Sequence, residues 1–208
     1  MPVVKKLVVL VVILGLLALG DLWMKGYAEE RIATELQSSF DDAGEAEVEL
    51  SGFPFTVRLL SGTIPSVRVT SSSLERQGVR FTDVRMTMQD VGFSLSQLTA
   101  GDLSSVTVDD GHGRVSLPVP ELGRIFAADG VDIELGDHGL RVRLGPVQGA
   151  AVLTLDGADL VLRIPSLQRN FRFELPRFVE GLQYRSIRVT DGEVVLQLSL
   201  KDSRFNEL

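Results

Sequence analysis

The chain has 208 residues, 44% hydrophobic and 24% charged, with a net charge of −7. That is enough for one domain with a sizeable core and short for two. Residues 1–20 hold Lys5 and Lys6 and no acid, so the body carries 19 basic against 28 acidic residues, a net −9. Such a body repels phosphate backbones, which argues against nucleic acid and against adhesion to anionic head groups through bulk charge. The absence of cysteine excludes disulfides, thiolate chemistry and Cys-based zinc or iron–sulfur sites.

Lys5-Lys6 is followed by an uncharged run from Leu7 to Gly20, then Asp21. As a helix the run spans about 21 Å, against a hydrocarbon core of ~30 Å. Extension through Leu22, Trp23 and Met24 gives about 27 Å and brings Trp23 and Tyr27 to the level of interfacial aromatics. A basic end before a Leu/Val run is an export signal. Residues 1–24 are therefore expected to be a signal anchor, or a signal peptide cleaved after Ala18-Leu19-Gly20. Residues 25–208 are expected to form a single domain on the extracytoplasmic face of the cell membrane.

From Asp21 to Phe40 the spacing predicts an amphipathic helix. Trp23, Tyr27, Ile32, Leu36 and Phe40 recur every four or five residues, with Lys25, Glu29, Glu30, Arg31 and Glu35 on other faces. Asp41-Asp42-Ala43-Gly44 is a stop signal. Beyond Glu45 the period becomes two, in Val67/Val69, Val79/Phe81, Val115/Leu117, Val131/Ile133/Leu135, Leu160/Leu162/Ile164 and Leu196/Leu198/Leu200 among others. After Phe81 the phase slips by one to Val84/Met86/Met88, as a β-bulge would produce. Asp109–Gly113, Gly136–Gly139, Asp156-Gly157 and Asp191-Gly192 read as turns between antiparallel strands. Pro118–Ala128 and Pro176–Leu182 each open with Pro and read as short helices over a sheet. The predicted class is α+β: one long N-terminal helix, a large antiparallel sheet and two short helices. Ser66–Thr70 and Ser186–Thr190 are near-identical pentapeptides, either by chance or because two strands take equivalent places in the sheet.

The segment Glu49–Gly62 breaks the alternation with Phe53-Pro54-Phe55, followed by Leu59-Leu60. Pro54 cannot donate to a ladder, so the segment is an edge, a bulge or the first turn of a short helix, in which Phe55, Leu59 and Leu60 would share a face. Its aromatics are either a local core plug or the mouth of an apolar groove. The block Gly52-Phe53-Pro54-Phe55, then Leu59-Leu60-Ser61-Gly62 and Val67-x-Val69, resembles the LmeA-type (lipomannan elongation factor A) family of actinobacteria. The resemblance implies a phospholipid-binding cell-envelope protein assisting lipomannan or mannan-type glycolipid assembly alongside mannosyltransferases. It also implies a fold similar to tubular lipid-binding domains, in which a strongly curved antiparallel sheet wraps a long N-terminal helix.

With an acidic body, lipid affinity has to come from apolar burial, at about 0.8 kcal/mol per CH₂. The expected groove residues are Phe53, Pro54, Phe55, Leu59, Leu60, Met86 and Met88, the methionines being adaptable fillers. Arg58 is the head-group candidate. Arg68, Arg80, Arg85, Arg141, Arg143 and Arg163 alternate with apolar positions and should face solvent. His112 and His138 sit in Gly/Asp sequences without a nucleophile elbow, a His-Glu-x-x-His or a Walker loop. No enzyme activity, cofactor or metal is expected. The alternative function is a membrane-anchored scaffold with a filled core and no ligand.

Overall fold

The computed structural model describes residues 18–34, 37, 42–94, 106–136, 139–177, 180–190 and 192–204. Helix α1 covers residues 18–34; Leu36, Phe40 and the stop at Asp41 lie outside the described residues. Strands β1 (Asp42–Ala43) and β2 (Ala46–Leu50) follow, then helix α2 (Phe55–Ser61). Next come β3 (Thr63–Arg76), β4 (Val79–Gly92) and β5 (Thr107–Pro118). Helix α3 (Val119–Phe126) continues into a 3-10 turn, Ala127–Asp129. The chain then forms β6 (Val131–Gly136), β7 (Gly139–Leu144) and β8 (Val147–Ala150). After these come β9 (Val152–Asp156), β10 (Asp159–Ile164) and β11 (Arg169–Glu174). Strands β12 (Leu182–Thr190) and β13 (Glu193–Arg204) end the described chain.

The main sheet has seven strands in the order β1-β3-β4-β5-β13-β12, with β2 also paired to β3; β6-β7-β8 and β11-β10-β9 form two smaller sheets. The protein is thus α+β, a large antiparallel sheet with an N-terminal helix. One hydrophobic cluster joins all three sheets. Phe81, Leu117, Leu122, Leu160, Leu196 and Leu200 in it have no exposed surface. Each such side chain contributes on the order of 1.5–3 kcal/mol through burial. Helix α3 buries Val119, Leu122 and Phe126 at helical spacing, as the Pro118–Ala128 pattern predicts.

Three turn signals close hairpins, with Gly136 opposite Gly139, Asp156 opposite Asp159 and Thr190 opposite Glu193. Asp137, His138 and Asp191 lie outside the described residues. The phase slip after Phe81 is a register shift between Thr82 and Arg85 in the β4–β5 ladder. It has an electrostatic reason. Arg85 and Arg114 are directly opposed across that ladder, and like charges so placed repel. Asp83, at φ 44°, reaches both guanidinium groups, at 2.8 Å and 3.1 Å.

Two expectations are corrected, and one open alternative is closed. Asp109–Gly113 is not a turn: it lies inside β5, paired with β4 on one side and β13 on the other. Its glycines serve close approach, since a Cβ on Gly113 would stand 2.7 Å from the Arg85 carbonyl oxygen and one on Gly111 3.1 Å from Leu200 Cβ. Pro176–Leu182 is not a helix. Pro176 and Arg177 are irregular, Glu180 and Gly181 form a turn, and Leu182 opens β12. The Pro176 carbonyl accepts a 2.6 Å hydrogen bond from the buried Tyr184 hydroxyl, which ties this connection to the sheet; burial also raises the Tyr184 pKa. Finally, Ser66–Thr70 and Ser186–Thr190 do not occupy equivalent places, because β3 has neighbours on both sides and β12 ends the sheet.

Adding one methyl at Gly113 forces Arg85 or the β4 backbone to move. Gly113→Ala is expected to cost about 1–3 kcal/mol, read as a lower denaturant midpoint. An unchanged midpoint would mean that β4 and β5 are not so tightly apposed.

Candidate functional site

The Phe-Pro-Phe block is where the long helix meets the sheet. Gly52 (φ 113°) and a cis Phe53–Pro54 peptide turn the chain out of β2, and Pro54 stands at the N-cap of α2. Proline has no side chain with which to cap, and the first turn of α2 has no acid. The free amides are met from α1 instead. Asp21 Oδ2 accepts the Phe55 N–H at 2.6 Å, and Asp21 Oδ1 accepts both the N–H and the hydroxyl of Thr56 at 2.6 Å. The Thr56 hydroxyl, then the Thr56 and Phe55 amides, hold the Asp21 pKa below its ordinary 3.8. The positive end of α2 supports the same charge. A second carboxylate does similar work along the helix: Glu29 Oε1 accepts the Leu50 N–H of β2 at 2.7 Å while paired with Lys25 at 3.5 Å.

These contacts set which way α1 faces. Asp21 is buried, and Ala28 and Ala33 pack on the core. The predicted apolar stripe faces outward: Trp23 is 74% exposed, and Leu19, Leu22, Tyr27 and Ile32 are exposed beside it. Trp23 and Tyr27 stack on one another at 6.1 Å. Hydrophobic periodicity misplaced the inward face because a buried acid, Asp21, and a half-buried one, Glu29, find backbone donors there, which offsets their loss of water.

Helix α2 ends at Gly62, in the left-handed region at φ 71°, where a Cβ would come within 2.7 Å of the Phe93 carbonyl. Of the predicted groove residues, Phe55 is 1% exposed and part of the core, and Leu59 is half-buried against it. Leu60 does not share that face and is 71% exposed; Phe53, at 69%, and Pro54 are exposed too. Val57, 58% exposed, completes an outward stripe with Phe53 and Leu60 that the sequence reading missed. Arg58 is exposed, with no ion pair among the described residues.

Met86 and Met88 lie on the inward face of the sheet, in two cross-strand rows. One row runs Val48, Val69, Met86, Gly113, Leu198 and Tyr184; the other runs Leu50, Val67, Met88, Gly111, Leu200 and Leu182. Directly opposed residues share a face, so each methionine stands beside a residue without a side chain. Met88 is buried and Met86 half-buried. The sheet therefore carries its least side-chain bulk at β5, with flexible thioethers on one flank and leucines on the other.

Arg68, Arg80, Arg85, Arg141, Arg143 and Arg163 are all exposed, as alternation predicts. His112 is exposed on β5, and His138 lies outside the described residues. Among the described residues there is no group of three or more His, Asp or Glu side chains that could hold a metal, and no helix long and apolar enough to cross a membrane. An open depression of about 520 Å³ lies between α3 and β6, lined by Pro120, Gly123, Arg124, Val131 and Ile133. It includes none of the predicted site residues.

Neutralising Asp21 should loosen α1 from α2. Its folded pKa is depressed, so its stabilisation is fully present above the unfolded carboxylate value and is lost as pH falls through the folded one. Asp21→Asn is expected to speed hydrogen exchange at the Phe55 and Thr56 amides severalfold, while β4 amides keep their protection. Equal exchange in both proteins would show that Asp21 does not cap α2.

The model of the LmeA-like phospholipid-binding family matches residues 19–199, a span that includes nearly all of α1, the Phe-Pro-Phe block, both glycines of β5 and the first part of β13, Glu193 to Ser199. No curated protein matches the chain. No solved structure matches it.

Proposed function

The chain belongs to the LmeA-like phospholipid-binding family, and from that premise we propose that it holds phospholipid acyl chains against the inward face of its main sheet. The family match over residues 19–199 carries the proposal. Access is beside α2, with Phe53, Pro54 and Leu60 at the mouth and Phe55, Leu59, Met86 and Met88 beneath. Arg58 offers the phosphate a charge-assisted hydrogen bond. Ten methylenes buried there would supply about 8 kcal/mol before ordering costs, a gain that needs no net positive charge and so suits a body of net −9.

In this proposal the protein works without catalysis on the extracytoplasmic face of the cell membrane, tethered through its N-terminal segment. It presents lipid during assembly of envelope glycolipids of the mannan type, with mannosyltransferases as partners. The alternative, an anchored scaffold without ligand, draws on the close burial of Leu50, Val67, Met88 and Leu200 in one inward row.

Native mass spectrometry of the full chain, purified from cells in mild detergent, separates the two. Bound phospholipid is expected. Protein that is lipid-free and takes up none from vesicles would establish the scaffold. Phe53→Asp, at an exposed position, should keep its circular dichroism and weaken phospholipid binding by about tenfold, ~1.4 kcal/mol. Phe55→Asp should not fold.

A further inference from the structure

Two exposed apolar stripes converge at the start of the described chain. On α1, Leu19, Leu22, Trp23 and Tyr27 recur at helical spacing, all at least 59% exposed. On α2 and just before it, Phe53, Val57 and Leu60 are spaced three or four residues apart and are all at least 58% exposed. The Asp21 carboxylate joins them, hydrogen-bonding the Phe55 and Thr56 amides from one turn of α1. Neither stripe is needed for the core, since Phe55 and Leu59 supply the inward side of α2 and Ala28 and Ala33 that of α1. Large apolar side chains left in water on two elements tied together by hydrogen bonds mark an interaction surface.

We propose that this surface, α2 with Phe53, Val57 and Leu60 together with Leu19, Leu22 and Trp23 of α1, is a membrane-docking face that dips into the interfacial layer of a lipid bilayer. Three observations favour a bilayer over a second copy of the chain. The uncharged run Leu7–Gly20 leads in sequence directly into this end of α1. The stacked Trp23 and Tyr27 are the residue types that settle at the head-group level. Arg58, exposed on α2 between Val57 and Leu60 in sequence, has a long stem that can reach phosphates while its methylenes stay with the lipid tails. Because the body is anionic, contact through apolar insertion is the mode that avoids its repulsion from acidic lipid. The inference rests on the membrane-tether reading and extends that contact from the N-terminal segment to Phe53, Val57 and Leu60, which sets α2 and the mouth beside it against the lipid surface.

The chain has no cysteine, so single labels are clean. Full-length Val57→Cys and Leu60→Cys, each carrying a polarity-sensitive fluorophore, are reconstituted in phosphatidylcholine vesicles with and without acyl-brominated lipid; Asn170→Cys on exposed β11 is the reference. Both α2 labels should shift to the blue and lose most of their emission to brominated lipid, while the label at 170 keeps its emission. Chain that sediments with the vesicles but is quenched no more at 57 and 60 than at 170 overturns the docking face and leaves the tether standing. Chain that does not associate with vesicles defeats both. Labels at 57 and 60 that become shielded in lipid-free detergent as protein concentration rises would assign the face to a second copy instead.

Discussion

The arrangement of this molecule turns on one carboxylate. Asp21 stands in a segment whose neighbours are Leu19, Gly20, Leu22 and Trp23, an expensive place for a charge, and it is buried. Its cost is offset by three short hydrogen bonds from Phe55 and Thr56. Those bonds supply the cap that Pro54 cannot give to α2. They also fix the rotation of α1, so that its small residues meet the core and its large ones do not. With α1 turned that way, large apolar residues of both helices are left exposed on two elements that Asp21 ties together.

The sheet imposes the second constraint. Six strands lay two inward rows side by side, and both rows lose their side chain on β5. Glycine there lets β4 close on β5 to a distance that a Cβ would forbid and β13 to one that a Cβ would crowd. It also leaves Met86 and Met88 as the adjustable elements of the inward face. A straight-chain thioether can yield to a flexible hydrocarbon where a branched aliphatic cannot. In the proposed function apolar surface does the holding, and polar groups have a positioning part.

Much of this was legible in the sequence, and the exceptions share a cause. Period-two alternation located the strands, hairpin dipeptides located three turns, and a slip of one residue after Phe81 located the bulge. The exposure of the arginines followed from the same alternation. Where reading failed, a distant partner decided the outcome. Glycines 111 and 113 look like turn formers until β4 and β13 close on either side of them. Pro176 looks like a helix start until Tyr184 takes its carbonyl. The outward stripe of α1 looks like a core face until Asp21 and Glu29 find amides in segments far along the chain. One local signal was present and undervalued, an aspartate set within an apolar run. Within the Phe-Pro-Phe block, spacing paired Leu59 with Phe55 correctly but could not tell that Leu60 would face out and Val57 join it.

The central claim is that phospholipid tails reach the inward face beside α2. Photo-cross-linking with a phosphatidylcholine carrying a diazirine near the end of one acyl chain tests it most directly, the adducts being mapped on the full-length protein by peptide mass spectrometry. Adducts are expected on the peptides holding Phe53–Leu60 and Val84–Met88. Adducts confined to the depression between α3 and β6, or none above those formed by a soluble diazirine without a lipid tail, would contradict it.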